Sequence, residues 1–263
     1  AAAHPARVVT LAVSDVVGSP LDVIASGPTV PDPTTYADAL SVLLEYEIAD
    51  ASTASRHLQA GAAGEAPETP GPGDPLFDRA SAHVIADNRG ALEGAAAEAE
   101  RLGCRAFIAG DDLEGEAREV ARGIARLAVE RRGEMAPGDP PLAILLGGET
   151  TVTVRGRGRG GRNQELALAL AIELEGREGI LAAALGTDGT DGPTDAAGAM
   201  VDGGTVARGT AAGLDARDTL TRNDAYPYLR ATGDLLITGP TGTNVSDVVL
   251  LLVSPADDGA AAA

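Results

Sequence analysis

The feature that most constrains this chain is a recurring order of short aliphatic runs, each delivered into a loop of glycine, hydroxyl and carboxylate residues. Arg7–Val13 closes in Ser14-Asp15, Leu142–Leu146 in Gly147-Gly148-Glu149-Thr150, and Ile180–Leu185 in Gly186-Thr187-Asp188-Gly189. Such runs read as buried strands, and strands alternating with helical patterns read as βαβ units around a mostly parallel sheet. The expected class is α/β, with polar loops where open sheets hold ligands, beyond the carboxyl ends of strands. No fixed-period repeat is visible, which argues against a solenoid.

Further strands are expected at Ala82–Ala86, Arg105–Ala109, Thr151–Val154, Leu235–Thr238 and Asp247–Val253. Helices are expected from a Thr34 or Thr35 cap to Tyr46, and over Ser52–Ala60, Arg89–Leu102, Glu114–Arg132 and Arg162–Glu175. Two more fall near Thr205–Ala212 and Asp224–Ala231. In Arg162–Glu175, Leu166, Leu170 and Leu174 recur on one face. Gly61–Pro75 reads as a surface loop, and the glycine and prolines of Gly133–Pro141 mark a domain boundary, giving domains at 1–135 and 141–254.

Composition narrows the partners. The net charge is −19, and all 20 basic residues are arginines. Phosphate backbones and anionic membranes reward basic surfaces, so neither a nucleic acid nor a membrane is expected as a partner. Any anion held by a side-chain cation must be held by arginine or a protonated histidine. With 44% hydrophobic residues the protein can bury a core, built mainly from Ala, Val and Leu because only Phe77, Phe107 and four tyrosines are aromatic. Cys104 is the only cysteine, so no internal disulfide can form, and it reads as a buried, inert thiol. The apolar runs are shorter than the roughly 20 residues that span a bilayer. The amino end, Ala-Ala-Ala-His-Pro, carries no signal pattern and reads as cut from a longer polypeptide.

Four loop clusters carry candidate chemistry. Arg155-Gly-Arg-Gly-Arg-Gly-Gly-Arg-Asn-Gln-Glu165 lies between a strand and a helix. Its glycines can turn amides inward, the helix start presents unpaired N–H groups, and Arg162 at the helix entry is the best-placed cation for a phosphate or carboxylate. In Thr187-Asp-Gly-Thr-Asp-Gly-Pro-Thr-Asp195, the aspartates at 188, 191 and 195 can converge on one Mg²⁺, or form Asx-turns that satisfy their own backbone. Thr238-Gly-Pro-Thr-Gly-Thr-Asn-Val-Ser-Asp247 is a third loop, and Ser14, Asp15 and Ser26-Gly-Pro-Thr29 form the fourth. Together they point to a cleft between two α/β domains. Other chemistries fit less well. His4, His57 and His83 form no ligand pair, no G-x-S-x-G elbow is present, and Ser14-Asp-Val-Val-Gly18 lacks a dinucleotide fingerprint.

Six ordered motifs carry a resemblance. Ser14 to Thr34, Gly147-Gly-Glu-Thr-Thr-Val152, Gly160-Gly-Arg-Asn-Gln-Glu165, Thr187 to Ala199, Asn223-Asp-Ala-Tyr226 and Gly239 to Asp247 resemble the glycerate 2-kinase family with a carboxy-terminal MOFRL domain, nearly end to end. The resemblance implies a Rossmann-like, mostly parallel domain, incomplete at its amino terminus, followed by a second α/β domain, MOFRL. It also implies a cytoplasmic enzyme that transfers a phosphoryl group from ATP, with Mg²⁺, to the 2-hydroxyl of D-glycerate. Arg162, Asp188 and Asp191 then become catalytic, with the two aspartates at the metal. Ser14, Asp15, Ser26, Gly27, Thr29, Glu149, Thr150, Gly160, Gly161, Asn163, Glu165, Thr187, Gly189, Asp195, Thr241, Thr243 and Asn244 become substrate or nucleotide contacts. Arg162→Ala is expected to cut phosphoryl transfer with the fold intact.

The sequence differs from the family pattern in two places. Ser19 follows Gly18 where many relatives carry an acid, and the family's longer amino-terminal stretch, with its lysine, has no counterpart in a lysine-free polypeptide. The resemblance therefore implies an amino-terminally truncated member. It pairs with a separate amino-terminal segment, self-associates, or persists as a ligand-binding remnant without catalysis. A hydroxypyruvate reductase using NADH or NADPH, a name often given to related sequences, is the alternative activity.

Overall fold

The computed structural model describes residue 3, residues 5–48 and residues 53–256. His4 and the expected helix start at Ser52 lie outside them. The protein forms two compact units: Ala1–Ala12 with Ser19–Ile85, and Val13–Gly18 with Ala86–Ala263.

In the first unit, β1 (Val8–Val13) and β2 (Ala80–Ala86) make a two-stranded sheet. Side chains alternate between half-buried and exposed along both strands, and Val9 and Leu11 are 56% and 63% exposed. The expected fully buried strand is therefore covered on one face only, as the period-two geometry of a strand allows. Helix α1 (Tyr36–Glu45) starts in a capping box. Thr35 Oγ1 accepts from the Asp38 amide, and the Asp38 carboxylate accepts from the Thr35 amide. Helix α2 (Thr53–Ala62) packs on α1.

The second unit contains α3 (Asn88–Arg101), β3 (Arg105–Glu116), α4 (Ala117–Gly133), β4 (Leu142–Thr151), α5 (Arg162–Glu173), β5 (Ile180–Gly186) and β6 (Gly198–Asp202). These are followed by α6 (Thr205–Ala211), α7 (Ala216–Thr221), α8 (Ala225–Thr232), β7 (Leu235–Leu236) and β8 (Asp247–Val253). The six strands order as β3-β4-β8-β5-β6-β7. The α/β class is as expected, and the sheet is mixed: β3 and β4 are parallel, while the remaining pairs are antiparallel. Residues 134–141 lie within the second unit. They close a βαβ crossover in which α4 carries the backbone from β3 back to its neighbour β4.

One consequence of this topology sets the site. β8 runs antiparallel between β4 and β5, with Val253 opposite both Leu142 and Ile180, and Asp247 opposite both Gly148 and Gly186. The loops leaving β4 and β5 and the loop entering β8 therefore meet at one end of the sheet.

The core is built from small residues, as the composition requires. Helix α5 is buried all round: Ala167, Leu168, Ala169 and Ala171 are as covered as the expected leucine stripe. Ala117, Ala121, Ala125 and Ala128 of α4 lie in the same core, and such small side chains let helices approach closely. Two strands run further than expected. β3 continues through Asp111-Asp112 with register shifts around Gly110, and β4 passes through Gly147-Gly148, so Thr151–Val154 is no separate strand. Gly148 holds φ 141°, and a Cβ there would run into the backbone of Leu113 on β3. Gly148→Ala is expected to lower stability by about 3 kcal/mol. Thermal unfolding measures this, and an unchanged midpoint would contradict the close approach.

Candidate functional site

Three elements bring the central cation and its partners together. Arg162 is the first residue of α5, Glu149 lies near the end of β4, and Asp247 begins β8. Arg162 donates Nε and Nη2 to Asp247 Oδ2 and Oδ1 at 2.6 and 3.0 Å, a two-pronged match of planar guanidinium and carboxylate. Its Nη1 lies 2.6 Å from Glu149 Oε1. The hydrogen bond to Asp247 holds the Arg162 guanidinium above its ordinary range, so it stays charged.

Arg162 and Glu149 line a cavity of about 970 Å³ within the second unit, together with Asp15, Glu114, Thr150 and their chain neighbours. Asp15 reaches this place on the 13–18 segment. Its carboxylate accepts from Asn244 Nδ2 at 3.1 Å and its carbonyl from Ser246 Oγ at 2.7 Å. Ser14 is buried and bonds locally to Val16. The loops are laced to one another as well. Thr187 Oγ1 donates to the Ser246 carbonyl and accepts from the Val245 amide, and Thr241 Oγ1 donates to the Thr187 carbonyl at 2.6 Å. Gly189 packs on Gly239, and among the described residues Thr243 bonds to Thr241 alone. The clusters at 160–165, 187–195 and 239–247 thus stand together.

The aspartates do not form the expected metal site. Asp191 is buried, and its two oxygens accept from the amides of Asn163 (3.1 Å) and Gln164 (2.8 Å), which caps α5 from another loop. Gly161 at the N-cap has no side chain to do this, and a Cβ there would collide with the Asp191 carboxyl. Two of the amides expected to receive a phosphate, those of Asn163 and Gln164, are consequently taken. Asp188 accepts from the amide and hydroxyl of Thr190, the Asx-turn arrangement. Asp195 is exposed and accepts from Tyr226 OH at 2.6 Å, which holds its carboxyl below the ordinary range, and Arg159 stacks on the Tyr226 ring. Among the described residues, no group of three His, Cys, Asp or Glu side chains could hold a metal ion.

Burial raises the Asp191 carboxyl above its ordinary value of 3.8; the Gln164 and Asn163 amides oppose that rise and Asp247 adds to it. The folded protein then holds this proton more tightly than the unfolded one. The group's contribution to stability is fully present below the unfolded value and lost as pH rises through the raised one. Asp191→Asn lacks that loss. Its stability relative to the parent is expected to improve between about pH 4 and about pH 7. Urea unfolding at both pH values is the check, and a constant difference would contradict the raised value.

Other expected contacts are structural. Glu165 is buried, accepting from Arg118 Nη2 at 2.5 Å and from Asn223 Nδ2 at 2.9 Å. Asn223 Oδ1 in turn accepts from the amides of Arg155 and Gly156, and Asp224 accepts from the amide of Arg159. This network straps the glycine-arginine loop to the 223–226 segment, beside which Gly160 lies. Thr150 Oγ1 and Asn163 Oδ1 are buried without a hydrogen-bond partner among the described residues. Ser26, Gly27 and Thr29 belong to the first unit, where Thr29 Oγ1 pairs with Thr10 Oγ1 at 2.6 Å. Sequence reasoning passed over Asp247, Arg118 and Asn88, whose amide donates to the Val245 and Asp247 carbonyls. Asp247 and Asn223 lay inside recognisable motifs, whereas Arg118 and Asn88 carried no local signal.

The protein is thus of the mixed-sheet α/β class, with strand-end loops that converge on one arginine beside a cavity. Residues 142–247 match the MOFRL family model, and residues 1–59 match a domain of unknown function, DUF4147. The D-glycerate 2-kinase of Thermotoga maritima is 45% identical over 249 residues, 95% of this chain and 57% of that protein. The crystal structure of glycerate kinase from that organism superposes with a TM-score of 0.83, covering 95% of this chain and 58% of the other. Glycerate kinase of Macaca fascicularis is 36% identical, covering 97% of this chain and 74% of its own length. The chain belongs to the glycerate 2-kinase family that carries a MOFRL domain. It spans little more than half the length of the Thermotoga relative. Among the described residues no helix is long and apolar enough to cross a membrane.

Proposed function

We propose that this protein serves in ATP-dependent phosphorylation of D-glycerate at its 2-hydroxyl, giving 2-phosphoglycerate and ADP. The observation that carries the reading is Arg162, fixed by Asp247 on the wall of a cavity where the loops of β4, β5 and β8 meet. The cavity's charge decides which substrate it takes. Its lining holds one cation, Arg162, against the three carboxylates Asp15, Glu114 and Glu149. That balance suits a small hydroxy acid, whose carboxylate meets the arginine and whose hydroxyls meet the acids, better than a triphosphate. ATP is then held elsewhere, and the setting is the cytoplasm.

The family resemblance implies Mg²⁺, and Asp188 and Asp191 do not fit it. Asp191 is buried against the α5 amides, Asp188 is folded onto Thr190, and no group of three such side chains gathers among the described residues, so no step here is routed through a metal at these two residues. The purified protein, alone and combined with the remaining segment of a full-length relative, is to be assayed with D-glycerate, ATP and Mg²⁺. Formation of ADP together with 2-phosphoglycerate, resolved from 3-phosphoglycerate by phosphorus NMR, is the expected outcome. Absence of both products in both arms, or oxidation of NADH with hydroxypyruvate, would overturn it.

A further inference from the structure

The cation on the cavity wall is already paired, and with two unequal counter-ions. Asp247 takes Nε and Nη2 of Arg162, its side chain is 6% exposed, and its carbonyl is held by Asn88. Glu149 takes Nη1, its side chain is 45% exposed, and its carboxylate has no other partner among the described residues. Breaking a buried charge pair leaves a desolvated ion unpaired, whereas an exposed carboxylate regains water when its partner is taken. An arriving anion therefore displaces Glu149 from Arg162 at a lower cost than it displaces Asp247.

We propose that Glu149 is the exchangeable counter-ion of Arg162 and the residue that selects an α-hydroxy carboxylate over a plain carboxylate. This rests on the reading of the cavity as the hydroxy-acid site. The ligand carboxylate replaces Glu149 at Nη1 while Asp247 keeps its two bonds. The released Glu149 carboxylate stays on the cavity wall with Asp15 and Glu114, facing the anion that displaced it. A ligand carrying a hydroxyl beside its carboxylate donates to Glu149 and restores its lost partner. A ligand without one leaves two carboxylates opposed with nothing between them, a repulsive element that rejects the wrong ligand. The same residue thus competes with every anion and compensates only the hydroxylated ones.

The test compares D-glycerate with propionate, which has the carboxylate and no hydroxyl, by NMR titration of the parent protein and of Glu149→Gln, Glu149→Ala and Asp247→Asn. In the parent, D-glycerate is expected to bind well ahead of propionate. Both Glu149 variants lose the competitor and the repulsion, so propionate tightens while D-glycerate changes little, and the ratio of the two dissociation constants falls by about ten-fold. Asp247→Asn, which loosens the guanidinium itself, weakens both ligands and leaves the ratio unchanged. A ratio unaltered in both Glu149 variants overturns the inference and leaves the kinase reading standing. If D-glycerate does not bind but lactate and propionate follow the expected pattern, the inference stands and the glycerate reading falls. If no carboxylate binds any variant, both fall.

Discussion

Arg162→Ala is expected to weaken D-glycerate binding by about 100-fold or more, the loss of one charge-assisted, partly desolvated anchor. Stability is expected to fall with it, by about 2 kcal/mol, because Asp247 is left buried at the head of β8 without its cation. The resemblance had implied an intact fold for this variant, and the structure revises that: the residue that meets the ligand also neutralises a buried carboxylate. Arg162→Lys separates the two roles. A lysine ammonium restores charge to Asp247 but lacks the planar fork that serves two partners at once. It should recover part of the stability and little of the binding. Calorimetric titration with D-glycerate, paired with thermal unfolding of each variant, reads both effects. Unchanged affinity in the alanine variant would remove Arg162 from the site.

Glu165→Ala is expected to destabilise the fold by about 3 kcal/mol. Its carboxylate is the shared acceptor of Arg118 and Asn223. Without it Arg118 retains Glu116 at 3.6 Å and the Leu220 carbonyl at 3.4 Å, and Asn223 Nδ2 retains only the Thr153 carbonyl at 3.4 Å. Asn223 sits at φ 54°, so an amide that loses its anchor there also loses the contact that offsets a left-handed backbone. The damage should reach the loop that Asn223 Oδ1 holds. Hydrogen exchange at the amides of Arg155 and Gly156 is expected to quicken along with the drop in unfolding free energy. Glu165→Gln keeps one acceptor oxygen and should lose about half as much. A variant that lost ligand binding at full stability, with exchange unchanged, would instead return Glu165 to the ligand contacts the resemblance assigned it.

Much of the architecture was legible because it rests on local chemistry. Aliphatic runs ending in glycine and hydroxyl residues are strands ending in functional loops. The convergence of 160–165, 187–195 and 239–247 followed from the rule that such loops gather at one end of a sheet. Strand direction was not legible. Asp247–Val253 reads as the same apolar run whether parallel or antiparallel, and only the tertiary register puts it reversed between β4 and β5. In α5 the leucine stripe was visible, but alanines on the other faces do not distinguish a buried helix from a surface one. The aspartates show how residue type alone misleads. A carboxylate in a glycine loop reads as a metal ligand until its oxygens are counted, and those of Asp191 belong to the amides of a helix that begins about 28 positions upstream. Arg118, Asn88 and Asp247 act through partners far away in sequence, which no local window brings together.

A crystal structure of the protein grown with D-glycerate tests the central claim most directly. The account predicts the ligand carboxylate within hydrogen-bonding distance of the Arg162 guanidinium, with Asp247 still paired, Glu149 turned off Nη1 and a ligand hydroxyl in its place. Glycerate bound elsewhere, with Glu149 and Asp247 both still on Arg162, would contradict it.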